Sequence, residues 1–123
     1  MPMRTGILFP LLLACSPSDV ERGDRLAREH RFTEAVDAYK AAIARYPHDY
    51  EAAWGIARLY CLEVHFPDKC LAWTEPLLAA YPHRGDFRRA AAQGWRDTAR
   101  EAAARGDGAK AAAATERAAA FER

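Results

Sequence analysis

The sequence predicts an all-helical fold, and three observations carry that prediction. β-Branched residues are scarce and never alternate with polar ones over a strand's length, so the period-two pattern of a half-buried strand is absent. Apolar residues instead recur at three-to-four spacing, as in Phe32, Ala35, Val36, Tyr39, Ala42 and Ile43, which lines one face of a helix. Prolines and glycines punctuate these stripes at Pro47, Pro67, Pro82, Gly85 and Gly106-Asp107-Gly108, where they end helices or open new ones.

Each element follows in order. Ser18 to Glu21 is a Ser-x-x-Glu box, in which the hydroxyl and carboxylate satisfy free backbone donors and start a helix over 19–29. His30-Arg31 makes a turn, and Thr33 is expected to cap a second helix that runs through Arg45. Pro47 stops it. Asp49 caps a third helix whose stripe is Ala53, Trp54, Ile56, Ala57, Tyr60 and Val64. Phe66-Pro67-Asp68 breaks that stripe, and a fourth helix carries Cys70, Leu71, Trp73, Leu77, Leu78 and Tyr81. Pro76 lies inside it and is expected to kink or divide it. Gly85-Asp86 opens a fifth helix to about Arg105 with Phe87, Trp95 and Ala99 turned inward, and a sixth follows to about Phe121. From Ala99 to Ala120, 12 of 22 residues are alanine. Alanine favours helix but buries little area, so these helices form readily, must pack closely, and make the end of the chain the least stable part.

A chain of 123 residues with half its residues apolar is one small domain with a limited core. With 28% charged residues, a net charge of +1 and no basic block of five or more, it lacks the means to track a phosphate backbone, and no nucleic-acid partner is expected. Residues 1–14 read differently. Arg4 supplies a positive start, and Ile7 to Ala14 is an eight-residue apolar run. That run is far short of the roughly 20 residues that span a bilayer and suits a signal-peptide core. It ends in Leu12-Leu13-Ala14-Cys15, which resembles the bacterial lipobox. The resemblance implies a signal peptide over 1–14, lipid on Cys15 and a tether over 15–18. Ser16 after the cysteine implies the periplasmic face of the outer membrane. A cytosolic chain with an apolar N-terminus and an ordinary secreted protein are the alternatives.

If Cys15 carries lipid, Cys61 and Cys70 remain as an even pair in an oxidising compartment. The spacing Cys61-x3-His65-x4-Cys70 also offers two thiolates and an imidazole to a soft metal. A fourth ligand is missing, however, and neither Cys-x-x-Cys nor Cys-x-x-Cys-His occurs. A disulfide from the end of the third helix to the start of the fourth fits the pair better, with two buried thiols as the alternative. No cofactor or metal is expected. His30, His48 and His83 lie in turns with no Ser, Cys or acidic neighbour placed to form a relay. Gly-x-Ser-x-Gly, His-Glu-x-x-His and the P-loop are absent, so the sequence gives no enzymatic expectation.

Tyr46-Pro47-His48 returns 35 residues later as Tyr81-Pro82-His83. With six helices joined by short turns, the chain resembles tetratricopeptide repeats, helix-turn-helix units of about 34 residues with small residues at the helix crossing and a terminal Pro. In the first unit Gly23, Leu26, Phe32, Ala35, Tyr39, Ala42 and Pro47 stand where that family places Gly, an apolar residue, an aromatic, Ala, an aromatic, Ala and Pro. The second matches through Ile56, Ala57, Tyr60 and Pro82. It has one extra residue near the turn, Cys70 at the crossing alanine and Thr74 at the aromatic. In the third, Trp95, Gly106, Ala111 and Ala118 fit and the terminal Pro is missing. The resemblance covers 19–121 and implies about three helix pairs in a short right-handed superhelix. An unrelated helical bundle is the alternative.

That resemblance implies a non-enzymatic adaptor whose first helix in each pair lines a concave groove. The groove positions are Asp24 and Arg28, then Glu51, Trp54 and Arg58, then Arg96 and Arg100. Arg58, Arg96 and Arg100 can pair with carboxylates, and Trp54 can serve as an apolar or cation-binding platform. The partner implied is an acidic or C-terminal segment of another protein; a solvated arginine face with its stems on alanine is the bland reading. Two rivals are a structural subunit docking through the Ala-rich last helices and a cytosolic adaptor without lipid.

Overall fold

A computed structural model describes residues 18–123. The expected signal peptide, Cys15 and most of the tether lie outside the described residues. Within them the protein is all-helical, with six helices and no strand. These are α1 (Asp19–Arg28), α2 (Phe32–Arg45), α3 (Tyr50–Arg58, continued by a π turn at Leu59–Glu63), α4 (Pro67–Ala80), α5 (Gly85–Ala104) and α6 (Gly108–Glu122). Consecutive helices pack on one another, α5 and α6 most extensively, while α1 also touches α3 and α3 touches α5.

The starts of these helices follow local chemistry. Ser18 Oγ accepts from the Glu21 amide at the head of α1, Asp49 from the Glu51 amide at α3, and Asp107 from the Lys110 amide at α6. Each satisfies a donor that has no partner inside its helix. Thr33 does not cap α2: that helix already begins at Phe32, with Arg31 in the cap position and no side-chain cap. The ring of Phe32 packs against the core and draws the chain into helical geometry before Thr33. Pro67 occupies the first turn of α4, where a missing N–H costs nothing. Pro76 does not divide α4, which runs unbroken to Ala80. Pro76 and Ala72 four residues before it are both exposed, so the carbonyl that loses its donor lies on the solvent side of the helix.

Two helices share a template. α2 and α4 are each 14 residues long and lie 35 residues apart. Each is preceded by a histidine in the left-handed region, His30 at φ 59° and His65 at φ 56°. Each ends on a tyrosine of nearly the same conformation, Tyr46 at φ −132°, ψ 77° and Tyr81 at φ −134°, ψ 70°. In both turns the tyrosine amide donates to a carbonyl four residues back and its own carbonyl accepts from the residue three ahead.

The first core is built around Tyr39, which is fully buried among Leu26, Ala35, Ala42, Ala52 and Ile56. Its ring lies between two glycine backbones. A Cβ added at Gly23 of α1 would come within 2.6 Å of the ring, and one at Gly55 of α3 within 2.5 Å. A second core joins Ala57, Leu77 and Phe87, with Trp54 and Tyr50 packed on it. A third contains Cys61, Cys70 and Ala90, and there the two cysteines are bonded to each other. Gly94 of α5 admits the bridge: a Cβ there would lie 2.6 Å from Cys70 Sγ.

The last helix is held differently. α6 buries only Ala114 and Ala118. Polar contacts supplement them: Arg88 donates to the Ala120 carbonyl, Arg117 stacks over Trp95 at 4.7 Å, and Arg96 pairs with Glu122.

Glycine-to-alanine changes within a helix ordinarily stabilise by up to about 1 kcal/mol. At Gly23 and Gly55 the sign is expected to reverse, because the added methyl overlaps a ring that has nowhere to go, and each variant is expected to lose about 1 to 3 kcal/mol. Urea unfolding monitored by circular dichroism checks this; a stabilised Gly55→Ala would mean Tyr39 can vacate the crossing.

Candidate functional site

The polar groups that the fold brings together lie along the seam between α1 and α3. Packing Gly23 and Gly55 on opposite sides of one ring sets these helices side by side, so the residues next to those glycines face each other across the surface. Asp24 follows Gly23 and accepts a hydrogen bond from the hydroxyl of the buried Tyr39. Arg58 of α3 reaches the same carboxylate oxygen at 3.6 Å. The ion pair is half exposed and adds little stability on its own. Its role is to hold two opposite charges at a fixed place.

Two clefts meet at this pair. One, of about 390 Å³, is lined by Asp24, Ala27, Arg28, His30, Arg58, Leu59 and Glu63. The other, of about 290 Å³, is lined by Val20, Asp24, Tyr50, Glu51, Trp54, Arg58 and Arg84. Five of the seven expected groove residues, Asp24, Arg28, Glu51, Trp54 and Arg58, therefore share one continuous strip. Arg28 makes no ion pair among the described residues, so its guanidinium is available to an incoming carboxylate. Trp54 is not an open platform: it is half-buried and leans on Phe87 at 5.0 Å, leaving one edge to the cleft.

Arg96 and Arg100 lie elsewhere. On α5, Arg96 is engaged by Glu122 of α6 and donates to Gln93, and Arg100 donates to Asp97 at 3.0 Å. Neither lines the seam, because α5 turns that part of its surface towards α6 and the loop before α4. The structure puts Arg84 at the seam instead. Its guanidinium stacks over Tyr50 at 4.7 Å and Phe87 at 4.6 Å and donates to Asp86. The sequence does carry a signal for it. Arg84 stands 35 residues after Asp49, so a cation occupies the position where the earlier turn places its capping acid.

A second polar group was also missed. Asp97 is buried on the inner face of α5 and accepts from His65 Nδ1 at 2.9 Å, Gln93 at 3.0 Å and Arg100 at 3.0 Å. Phe87, Ala90, Gly94 and Asp97 fall at three-to-four spacing, so an acid on an apolar stripe was readable as a residue with buried partners. His65 sits in the loop between the bonded cysteines, which rules out the soft-metal arrangement: with both sulfurs in the bridge, no thiolate is available to join the imidazole. Among the described residues no group of three or more His, Cys, Asp or Glu side chains is placed to hold a metal ion, and no helix is long and apolar enough to cross a membrane.

No protein-family model, curated protein or solved structure matches the chain.

Burial first, and then the hydrogen bond to Asp24, push the Tyr39 phenol up to about 12 from its ordinary 10.0. The fold favours the neutral phenol, so this contribution is present in full below pH 10 and is lost as pH rises towards 12. Stability measured by urea unfolding is expected to fall across that window, and the Tyr39→Phe variant, starting about 1 kcal/mol lower for its missing hydrogen bond, is expected to lack that component of the fall. Parallel alkaline profiles for the two proteins would show that Tyr39 titrates as an ordinary tyrosine.

Proposed function

We propose that the protein is a non-enzymatic adaptor of tetratricopeptide-like build that binds an extended segment of another protein along the seam between α1 and α3. The observation that carries the reading is the strip formed by Asp24, Arg28, Glu51, Trp54 and Arg58. It joins two clefts, fixed charge of both signs and an aromatic edge on one face. Arg28, Arg58 and Arg84 supply guanidinium forks for carboxylates, while Asp24 and Glu51 can take backbone or side-chain donors. Such a surface favours an acidic or C-terminal segment.

The repeat reading has its own support. From His30 and His65 to Tyr46 and Tyr81, equivalent residues stand 35 apart with matching backbone. Gly23 and Ala57, the paired crossing positions earlier in each unit, stand 34 apart. The π turn at Leu59–Glu63 lies between these two stretches. An inserted residue inside a helix is accommodated by a π turn, which accounts for the change of offset. Thr74 then takes the place of Tyr39, and the disulfide fills the space that a second ring would occupy. The three-pair, right-handed superhelix extends this reading to α5 and α6.

A lipid on Cys15, with the domain on the periplasmic face of the outer membrane, completes the proposal. Anchoring raises the local concentration of a modest groove around membrane complexes. A structural role is the second reading, favoured by the cleft of about 540 Å³ over Trp95, Ala113, Ala114 and Ala120 on the outer face of α5 and α6.

Crosslinking of the full-length protein in its native cells, followed by purification from solubilised membranes, is the test. A defined complex is expected from the wild type. Capture is expected to drop about tenfold with Arg28→Glu and Arg58→Glu together, to persist with Arg45→Glu, and to be lost from the membrane fraction with Cys15→Ser. Unchanged capture by the Arg28/Arg58 double variant rules out the seam, and identical soluble partners from Cys15→Ser rule out the anchor.

A further inference from the structure

Five large apolar side chains stay exposed among the described residues, and three of them, Leu62, Val64 and Phe66, fall in the short stretch from the π turn to the start of α4. Four peptide steps keep them within about 15 Å of each other. Exposed apolar residues scattered singly need no explanation, but a group of them does.

This loop is also where the backbone is most heavily constrained. It leaves α3 through the π turn at Leu59–Glu63 and is closed by the Cys61–Cys70 bridge. His65 holds a left-handed φ of 56° and is tied by its imidazole to the buried Asp97. The Phe66 amide donates to the Tyr60 carbonyl, and the Lys69 ammonium lies 5.3 Å from the Tyr60 ring and 5.4 Å from the Phe66 ring. A left-handed non-glycine residue persists only where its surroundings insist on it, and such residues gather at functional sites. None of these ties buries the three side chains. They fix them outward.

Leu62 forms one wall of a cleft of about 470 Å³ whose other residues are Arg89, Ala92, Gln93, Arg96 and Glu122. The floor is apolar and the rim cationic: Arg89 makes no ion pair among the described residues, and Arg96 is held by Glu122. Its own lining carries two guanidinium groups, Arg89 and Arg96, against one carboxylate, Glu122.

We propose that this loop and cleft form a second binding surface, separate from the α1–α3 seam, for a short amphipathic segment of another protein. The segment places an apolar side chain against Leu62, above the buried Ala92, and offers carboxylates to Arg89 and, in place of Glu122, to Arg96. A concave cleft with guanidinium groups on its rim fits side chains better than a flat lipid surface, which would meet Glu63 and Asp68 within the same loop. The bridge and the His65–Asp97 pair act as positioning elements that hold the loop in its binding form.

The test uses the full chain, isotopically labelled, and a fluorescent synthetic peptide of about four helical turns with Leu on one face and Glu beside it; a second peptide replaces Glu with Lys. The Leu/Glu peptide is expected to bind, with amide shifts concentrated at 61–70 and 89–96. The Lys peptide is expected to bind about tenfold more weakly, a loss of about 1.4 kcal/mol. Leu62→Ser, Arg89→Glu and reduction of the bridge are each expected to weaken binding similarly with the helical signal retained. Because reduction can loosen the fold, the two surface variants decide the matter. No binding, equal binding of the two peptides, or shifts confined to the α1–α3 seam overturns the proposal. Leu62-dependent dimerisation in sedimentation assigns the face to a second copy, and Leu62-dependent binding to phosphatidylglycerol vesicles assigns it to lipid; either result also overturns it.

Discussion

The Asp24–Arg58 pair at the seam depends on one aromatic ring that two backbones are allowed to approach. Tyr39 fills the place where α1, α2 and α3 meet, and Gly23 and Gly55 are the residues that let the flanking helices close on it. A side chain on either would force the helices apart by the width of a methyl group. The ring also ends in a hydroxyl, and that hydroxyl needs an acceptor once it is buried. Asp24 supplies it, and Arg58 then answers the carboxylate. A packing constraint in the core thus reaches the surface as a fixed pair of charges, with no separate device needed to position them.

Towards the other end of the chain the close packing is made with sulfur. The Cys61–Cys70 bridge lies against the fully buried Thr74, and Gly94 gives it room against α5. A bridge between residues nine apart stabilises by about 2 to 3 kcal/mol in the chain-entropy account, which is modest because the loop is short. Its larger consequence is local. It fixes a loop whose backbone would otherwise have many choices, and Asp97 fixes the same loop from beneath through His65. Beyond α5 the means change again: α6 buries two alanines and leans on arginine contacts, so the fold's interactions become more polar as apolar area runs out.

Much of this was readable from the residues, for identifiable reasons. The all-helical class follows from apolar periodicity and from the scarcity of β-branched residues, which are properties of the chain itself. The caps at Ser18, Asp49 and Asp107 are short-range chemistry, and the recurrence of Tyr-Pro-His marked two turns of one conformation. Thr33 is a local signal that the packing of the Phe32 ring overrides, and Pro76 sits inside an unbroken helix, so of the two outcomes expected there division does not occur.

The expected groove residues divide in the same way. The resemblance to tetratricopeptide repeats puts Asp24, Arg28, Glu51, Trp54 and Arg58 on one face, and the structure lines two adjoining clefts with them. Arg96 and Arg100 found partners on α5 and α6, and Arg84 reached the seam by stacking on Tyr50 and Phe87. The sequence by itself determined the helices and their turns, because each depends on residues a few positions apart. The close approach of Gly23 and Gly55 to Tyr39 joins three helices and belongs to the tertiary structure. Only the tertiary structure decided which charges face each other and which apolar residues stay outside, because the long side chain of arginine takes its partner from whatever helix lies within reach.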